Sequence, residues 1–168
     1  MNTKEAIYKR RSVRKFTDQK VSDEIIDELL KCAMAAPSAC NKQPWEFYVV
    51  KSEEKLNEIK MVSKYSNFNA PLAIIVCGNK TRMLSDRDND FFIQDCSAAI
   101  ENMLLYATSI NLGSLWCGIL PISQNMAKTK EILNLNDEII PLALLFFGYS
   151  AEEKEARTQY DDQKVHFL

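Results

Sequence analysis

The stretch DFFIQDCSAAIENMLLYATSI, residues 90–110, decides how this chain folds. Phe92, Cys96, Ala99, Ile100, Met103, Ala107 and Ile110 recur in it at helical spacing. Apolar side chains take up much of the circumference, so the stretch predicts a long helix in a central, mostly buried position rather than a surface helix with one polar face. Asn111-Leu112-Gly113 ends it, with the glycine predicted as the C-terminal cap.

Elements alternate on either side of this helix. Upstream, residues 3–10 read as a short helix. A second begins after Ser22, a capping residue, with Asp23 and Glu24 in the first turn, where the helix dipole favours acids. Its apolar positions are Ile25, Ile26, Leu29, Leu30, Ala33 and Ala36, and Pro37 forces its end. Trp45–Val50 is a predicted strand, and Ser52-Glu53-Glu54 opens a third helix running to about Val62. Leu72–Cys77, a short run of branched apolar residues closed by Gly78, reads as a buried strand. Downstream come a strand at Leu115–Leu120, a helix near 123–133, and a central strand at Ile139–Phe147 despite Pro141 near its start. The tail, 150–168, is polar, has no core pattern of its own and is expected to lie against something else.

No repeat, low-complexity tract or linker interrupts the 168 residues, which predicts one domain, 1–168. A chain of this size buries roughly 70% of its unfolded surface and needs no disulfide or metal staple. Neither G-x-G-x-x-G nor G-x-x-x-x-G-K-[ST] is present, which disfavours dinucleotide-binding and P-loop folds. The expected class is α+β: a sandwich of helices about a mixed or antiparallel sheet.

Composition narrows the chemistry. A hydrophobic fraction of 46% and a charged fraction of 26% are ordinary for a globular protein. The net charge of -2 gives no global positive field for nucleic acid or anionic membrane, so any anion must be held locally. Five cysteines, with no C-x-x-C pair, fit small buried apolar residues in a reducing cell. His166 is the only histidine, which excludes a zinc site built on two histidines and leaves a Ser-His or Cys-His nucleophile only this one partner. No run of about 18 apolar residues exists, and the N-terminus lacks the apolar stretch of a secretory signal, so a cytoplasmic location is expected.

Three segments carry chemistry. Arg10-Arg11-Ser12-Val13-Arg14 places three guanidiniums and a hydroxyl within five residues. Such a cluster is a solvated basic face, a grip for a terminal phosphate, which planar guanidiniums bind in pairs, or a nucleic-acid patch, for which the remainder of the chain supplies no matching basic stripe. The loop Pro37-Ser38-Ala39-Cys40-Asn41-Lys42-Gln43-Pro44-Trp45 is either an ordinary helix-to-strand turn or a set of neutral donors and acceptors suited to a heteroaromatic edge. In Gly113-Ser114-Leu115-Trp116-Cys117-Gly118-Ile119, Gly118 allows backbone to approach a flat ring. Cys117 has no cationic neighbour in sequence to lower its pKa and reads as structural rather than nucleophilic. Asp95 and Glu101, six positions apart, do not share a helix face as a catalytic carboxylate pair would; Asp95 instead caps or pairs within the core.

Taken in order, Arg10 through Phe16, Ala36 through Trp45, Asp95 through Asn102 leading to Gly113 through Gly118, and the tail from Arg157 through Val165-His166 resemble the successive signatures of the nitroreductase family. The resemblance implies a central, mostly antiparallel sheet flanked by helices and an intertwined homodimer whose subunits share two active sites. It implies an FMN-dependent oxidoreductase that passes electrons in ping-pong fashion from NADH or NADPH to a nitroaromatic, quinone or related small-molecule acceptor. By position, Arg10, Ser12 and Arg14 match residues holding the FMN phosphate and ribityl chain, with Arg11 assisting and Arg157 as a second phosphate clamp. Pro37, Ser38, Ala39, Asn41 and Gln43 match the loop that one subunit offers to its partner's flavin. Trp116, Cys117 and Gly118 match the stretch beside the flavin ring, and Asn69 matches a flavin-contacting asparagine of longer relatives. No side chain is implied to be catalytic and no metal is needed, because the cofactor carries the chemistry. The short segment Asn79–Asn89 replaces a helical excursion of longer members. That leaves open a non-catalytic flavin-binding or storage protein, or a variant performing ene reduction or reductive dehalogenation.

Overall fold

The computed structural model describes residues 1–84 and 91–168. The predicted helix start at Asp90, and the second half of the segment Asn79–Asn89, lie outside them. In chain order the elements are α1 (Thr3–Lys9), α2 (Asp23–Met34), β1 (Trp45–Val50), α3 (Glu53–Ile59), β2 (Leu72–Asn79), α4 (Phe91–Ser109), β3 (Gly113–Gly118), α5 (Ser123–Leu133) and β4 (Ile139–Gly148). The four strands form one sheet in the order β1-β2-β4-β3, every neighbouring pair antiparallel. The class is α+β, as the alternation of elements predicts.

Side chains in β2 and β4 alternate between the two faces, as strand geometry requires. Ile74, Val76, Leu145 and Phe147 face α2 and α4; Ile75, Cys77, Leu144 and Phe146 face Ile59 of α3 and Ile119. Because both sheet faces are covered, the central strands are apolar throughout rather than alternating. Fully burying one such side chain stabilises by about 1.5–3 kcal/mol. Helix α4 buries Phe92, Asp95, Cys96, Ala99, Ile100, Met103, Leu104 and Ala107, so the reading of residues 90–110 holds.

Four details depart from the sequence reading, each for a local reason. Helix α4 is closed by Asn111, not Gly113. Asn111 adopts a left-handed backbone (φ 60), its N–H donates to the Thr108 carbonyl at 3.1 Å, and the Leu112 N–H reaches back to Ala107 at 2.8 Å. Gly113 instead begins β3, where an added Cβ would lie 3.1 Å from both the Gly148 carbonyl and the Val13 side chain. Strand β3 correspondingly stops at Gly118, because the Ile119 and Leu120 N–H groups both turn to the Leu142 carbonyl. Strand β2 runs through Gly78 to Asn79, since Gly78 pairs with both Trp45 and Ile140. Glycine is needed there for room: a Cβ would meet the Phe92 ring at 2.4 Å. Helix α3 ends at Ile59 rather than Val62, and the fully buried Ser66 hydroxyl takes over, donating to the Lys60 carbonyl at 2.8 Å. Pro141 sits in β4 where the register slips between Val76 and Cys77, so the strand absorbs the missing N–H at a bulge.

Candidate functional site

Strand β3 is an edge of the sheet, and the segment carrying Arg10–Arg14 lies against it. Ser12 pairs with Ser114 in parallel, and the Val13 N–H donates to the Ser114 carbonyl at 2.9 Å. Val13 is the buried anchor of the segment, which leaves Arg14 exposed and Arg10, Arg11 and Ser12 half-buried beside it. The Arg10 Nε lies 3.6 Å from the Glu101 Oε1 of α4. Burial pushes the Glu101 carboxyl above the usual carboxylate range, and the charge of Arg10 opposes that push.

Beyond Ser114 no described residue pairs with the edge. In an antiparallel ladder, alternate residues turn both main-chain groups toward the partner strand or both away from it. The Ser114 carbonyl faces away from β4, toward Val13, so the main-chain groups of Trp116 and Gly118 face outward on the same side. Trp116 is 37% exposed, and a Cβ built on Gly118 would meet nothing nearer than the Leu120 carbonyl at 3.8 Å. Packing against the described residues therefore does not demand the glycine. Cys117 points to the opposite face, its Sγ 3.6 Å from the Tyr65 carbonyl. Burial pushes its thiol pKa up to about 11, against a small opposing effect of the Arg14 charge. At neutral pH the group is a neutral thiol. This fits the structural reading of Cys117 and brings Arg14 and Cys117 to one neighbourhood.

The loop after α2 hangs on the same long helix. Ala39–Asn41 form one tight turn, and Cys40, Asn41 and Gln43 all take positive φ values of 50, 54 and 49. The Ala39 N–H donates at 2.8 Å to Oδ1 of Asp95, a carboxylate that is only 6% exposed. Within the loop, the Gln43 N–H donates to the Ser38 hydroxyl at 2.9 Å and the Gln43 amide to Asn41 Oδ1 at 2.8 Å. Pro37, Ser38, Ala39, Asn41 and Gln43 are thus one preformed unit with its amides at the surface. Asp95 and Glu101 are six residues apart on α4, about 9 Å along its axis. In a single chain, the loop and the arginine segment attach to different stretches of that helix.

The model of the Nitroreductase family matches residues 7–68 and 59–149. The chain belongs to the nitroreductase family. It is 37% identical over 168 residues to a Methanothermobacter thermautotrophicus protein provisionally named NADH dehydrogenase/NAD(P)H nitroreductase, across 99% of this chain and 86% of that one. Among solved structures it is similar to an FMN-dependent nitroreductase from Clostridium difficile, at 34% identity and a TM-score of 0.88, covering 96% of each chain. It is likewise similar to a Clostridium acetobutylicum protein provisionally named an NADH oxidase, at 37% identity and a TM-score of 0.90, covering 96% of this chain and 97% of that one.

Two further family positions behave differently from each other. The Arg157 N–H donates to the Tyr8 carbonyl at 3.0 Å, which sets this nitroreductase-family tail two residues from Arg10. The first half of the polar tail, to Arg157, lies against the N-terminal segment of its own chain, whereas Tyr160, Phe167 and Leu168 beyond it are exposed. Asn69 instead accepts from Lys60 Nζ at 3.2 Å and lines an open recess of roughly 480 Å³ with Thr17, Lys20, Lys51 and Phe68. None of the other described site candidates lines that recess. Arg11 also turns away, donating from its guanidinium to the Glu155 carbonyl. Sequence reasoning expected Asp95 to cap or pair within the core without naming Ala39 as its partner, and it missed Glu101 as the partner of Arg10 and Glu152, whose carboxylate accepts the Arg14 N–H at 2.6 Å. A buried acid on an apolar helix was the one available signal, and it pointed to Asp95.

Proposed function

We propose that this protein is an FMN-dependent oxidoreductase, a single unit over 1–168, that passes electrons from NADH or NADPH to a small-molecule acceptor such as a nitroaromatic or quinone. The observation carrying this is the juxtaposition of Arg10, Ser12 and Arg14 with the open, outward-facing edge at Trp116–Gly118. The donor set suits FMN: guanidiniums and a hydroxyl for a terminal phosphate, and unpaired main-chain groups for the polar edge of a ring. Arg10, Ser12 and Arg14 would hold the phosphate and ribityl chain, with Arg157 as a second cation, and Trp116, Cys117 and Gly118 would line the ring. The Arg10 contact to Glu101 runs through Nε and leaves the terminal guanidinium nitrogens for the phosphate. When bound, FMN supplies hydride acceptance and electron donation, so the chain itself needs no acid, base or metal. A neutral Cys117 thiol is consistent with that division of labour.

The loop of Pro37, Ser38, Ala39, Asn41 and Gln43 reads as a contribution to the site of a second copy, in a homodimer with shared sites. Its amides face outward, and its tether at Asp95 is about 9 Å along α4 from Glu101. Asn69 would join the site only if its recess opens toward the ring. No described helix is long and apolar enough to cross a membrane; with the reducing-cell reading of the cysteines, a cytoplasmic location follows.

The test is direct. Purified protein should show the visible absorbance of oxidised flavin and bleach it with NADH or NADPH under anaerobic conditions. Arg10→Ala and Arg14→Ala should each weaken FMN binding by about ten-fold or more, since a hydrogen bond to a charged group is worth roughly 1.5–3 kcal/mol. Flavin content equal to wild type in both variants would sink the phosphate assignment. A stable monomer that binds FMN fully would sink the shared site.

A further inference from the structure

The tail and the arginine segment run antiparallel, one residue forward for one residue back from Thr17–Tyr149 to Arg11–Glu155, with a slip of one residue before Tyr8–Arg157. The Thr17 N–H donates to the Tyr149 carbonyl at 2.9 Å, Phe16 bridges Ser150, and the Ala151 N–H donates to the Lys15 carbonyl at 2.9 Å. The Arg14 N–H then donates to the Glu152 carboxylate, the Arg11 guanidinium to the Glu155 carbonyl, and the Arg157 N–H to the Tyr8 carbonyl. We propose that residues 149–157 act as a strap that fixes the Arg10–Arg14 segment for anion binding, with Arg11 and Glu152 as its positioning residues. The proposal rests on the reading of Arg10, Ser12 and Arg14 as a phosphate site.

Charge explains why a strap is needed. Lys9, Arg10, Arg11, Arg14 and Lys15 crowd seven positions, and left alone such a segment repels itself. The tail answers with Glu152, Glu153 and Glu155. Glu152 takes the central place: one carboxylate oxygen accepts the Arg14 N–H, and the other lies 3.1 Å from Lys154 Nζ. The Arg14 N–H, then Lys154 and the Lys15 N–H, hold its carboxyl below the usual carboxylate range, so it stays ionised. Arg11 sits in the middle of the motif, yet it lines a recess with Lys9, Val13, Gly113, Glu152 and Lys154, at the start of β3 and not at Trp116–Gly118. Its guanidinium donates to the tail at the Glu155 carbonyl, so it fastens the strap while Arg10 and Arg14 are left to the anion. The strap ends by setting the backbone of Arg157 on Tyr8. Anion binding and strap docking therefore favour each other, and the coupling is reciprocal.

The experiment compares FMN with riboflavin, which has the same ring and no phosphate, by fluorescence titration of full-length protein stripped of flavin. It adds hydrogen–deuterium exchange over residues 149–157. Arg11→Ala and Glu152→Ala should weaken FMN binding by about ten-fold, leave riboflavin binding unchanged and speed exchange in the tail. Glu152→Gln, which keeps an oxygen to accept the Arg14 N–H, should recover most of the loss. Equal losses for FMN and riboflavin would overturn the proposal by showing general damage. So would FMN binding as in wild type for Arg11→Ala and Glu152→Ala while Arg10→Ala loses it, an outcome that leaves the phosphate site standing. Normal FMN binding by Arg10→Ala as well would overturn both readings.

Discussion

Replacing Asp95 with alanine tests the tether between α4 and the amide loop. The carboxylate is buried and accepts the Ala39 N–H at 2.8 Å. Its loss removes a hydrogen bond to a charged group and leaves that N–H without its acceptor, at about 1.5–3 kcal/mol. At about 2 kcal/mol, and roughly 2–4 °C per kcal/mol for a domain of this size, Asp95→Ala should melt about 4–8 °C below wild type. Thermal unfolding followed by circular dichroism measures it, with Asp95→Asn, which keeps an acceptor oxygen, falling by about half as much. Flavin affinity should fall as well if the loop closes over a partner's site. A melting point for Asp95→Ala within roughly 1 °C of wild type would refute the reasoning, since a tether of this strength cannot vanish without trace.

Other perturbations read other parts of the fold. Gly78→Ala would press a methyl group to 2.4 Å from Phe92 and 2.6 Å from Met83, and should lower the urea midpoint by the equivalent of about 1–3 kcal/mol; an unchanged midpoint would mean that α4 crosses β2 with room to spare. Asn111→Gly relieves the left-handed residue that closes α4 and should stabilise by about 0.5–1 kcal/mol, whereas Asn111→Ala should destabilise. In flavin-stripped protein, alkylation of Cys117 should climb about ten-fold per pH unit toward its pKa of about 11, since only the thiolate reacts and burial withholds it. A plateau near pH 8.5, observed by mass spectrometry, would show an activated thiol instead.

Much of this architecture can be read from the residues alone, and the reasons are particular. Helix α4 was legible because its apolar positions exceed one face, and α2 because Ser22 and Pro37 bracket it. The limits of β2 and β3 were not, because Gly78 and Gly113 look like punctuation in sequence but serve as clearance between packed elements. The same confusion assigned the helix cap to Gly113 when Asn111 supplies it. For the site, the clustering of Arg10, Ser12 and Arg14 was visible because they are sequence neighbours. Their partners Glu101 and Glu152 lie 91 and 138 residues away from Arg10 and Arg14 and carry no local signature. Arg11 shows the remaining limit: adjacency in the chain says nothing about which side of a segment a side chain takes.

Helix α4 also imposes a constraint on how the protein can change. Asp95 and Glu101 belong to one rigid rod, so the lattice points at which it holds the amide loop and the first arginine keep a fixed separation. A repacking beneath the rod, at Phe92 or Met103, would shift both attachments in step and could not retune one alone. Variation in this scaffold is therefore channelled to the loops and tail that hang from the rod, where one end can be altered while the other stays in register.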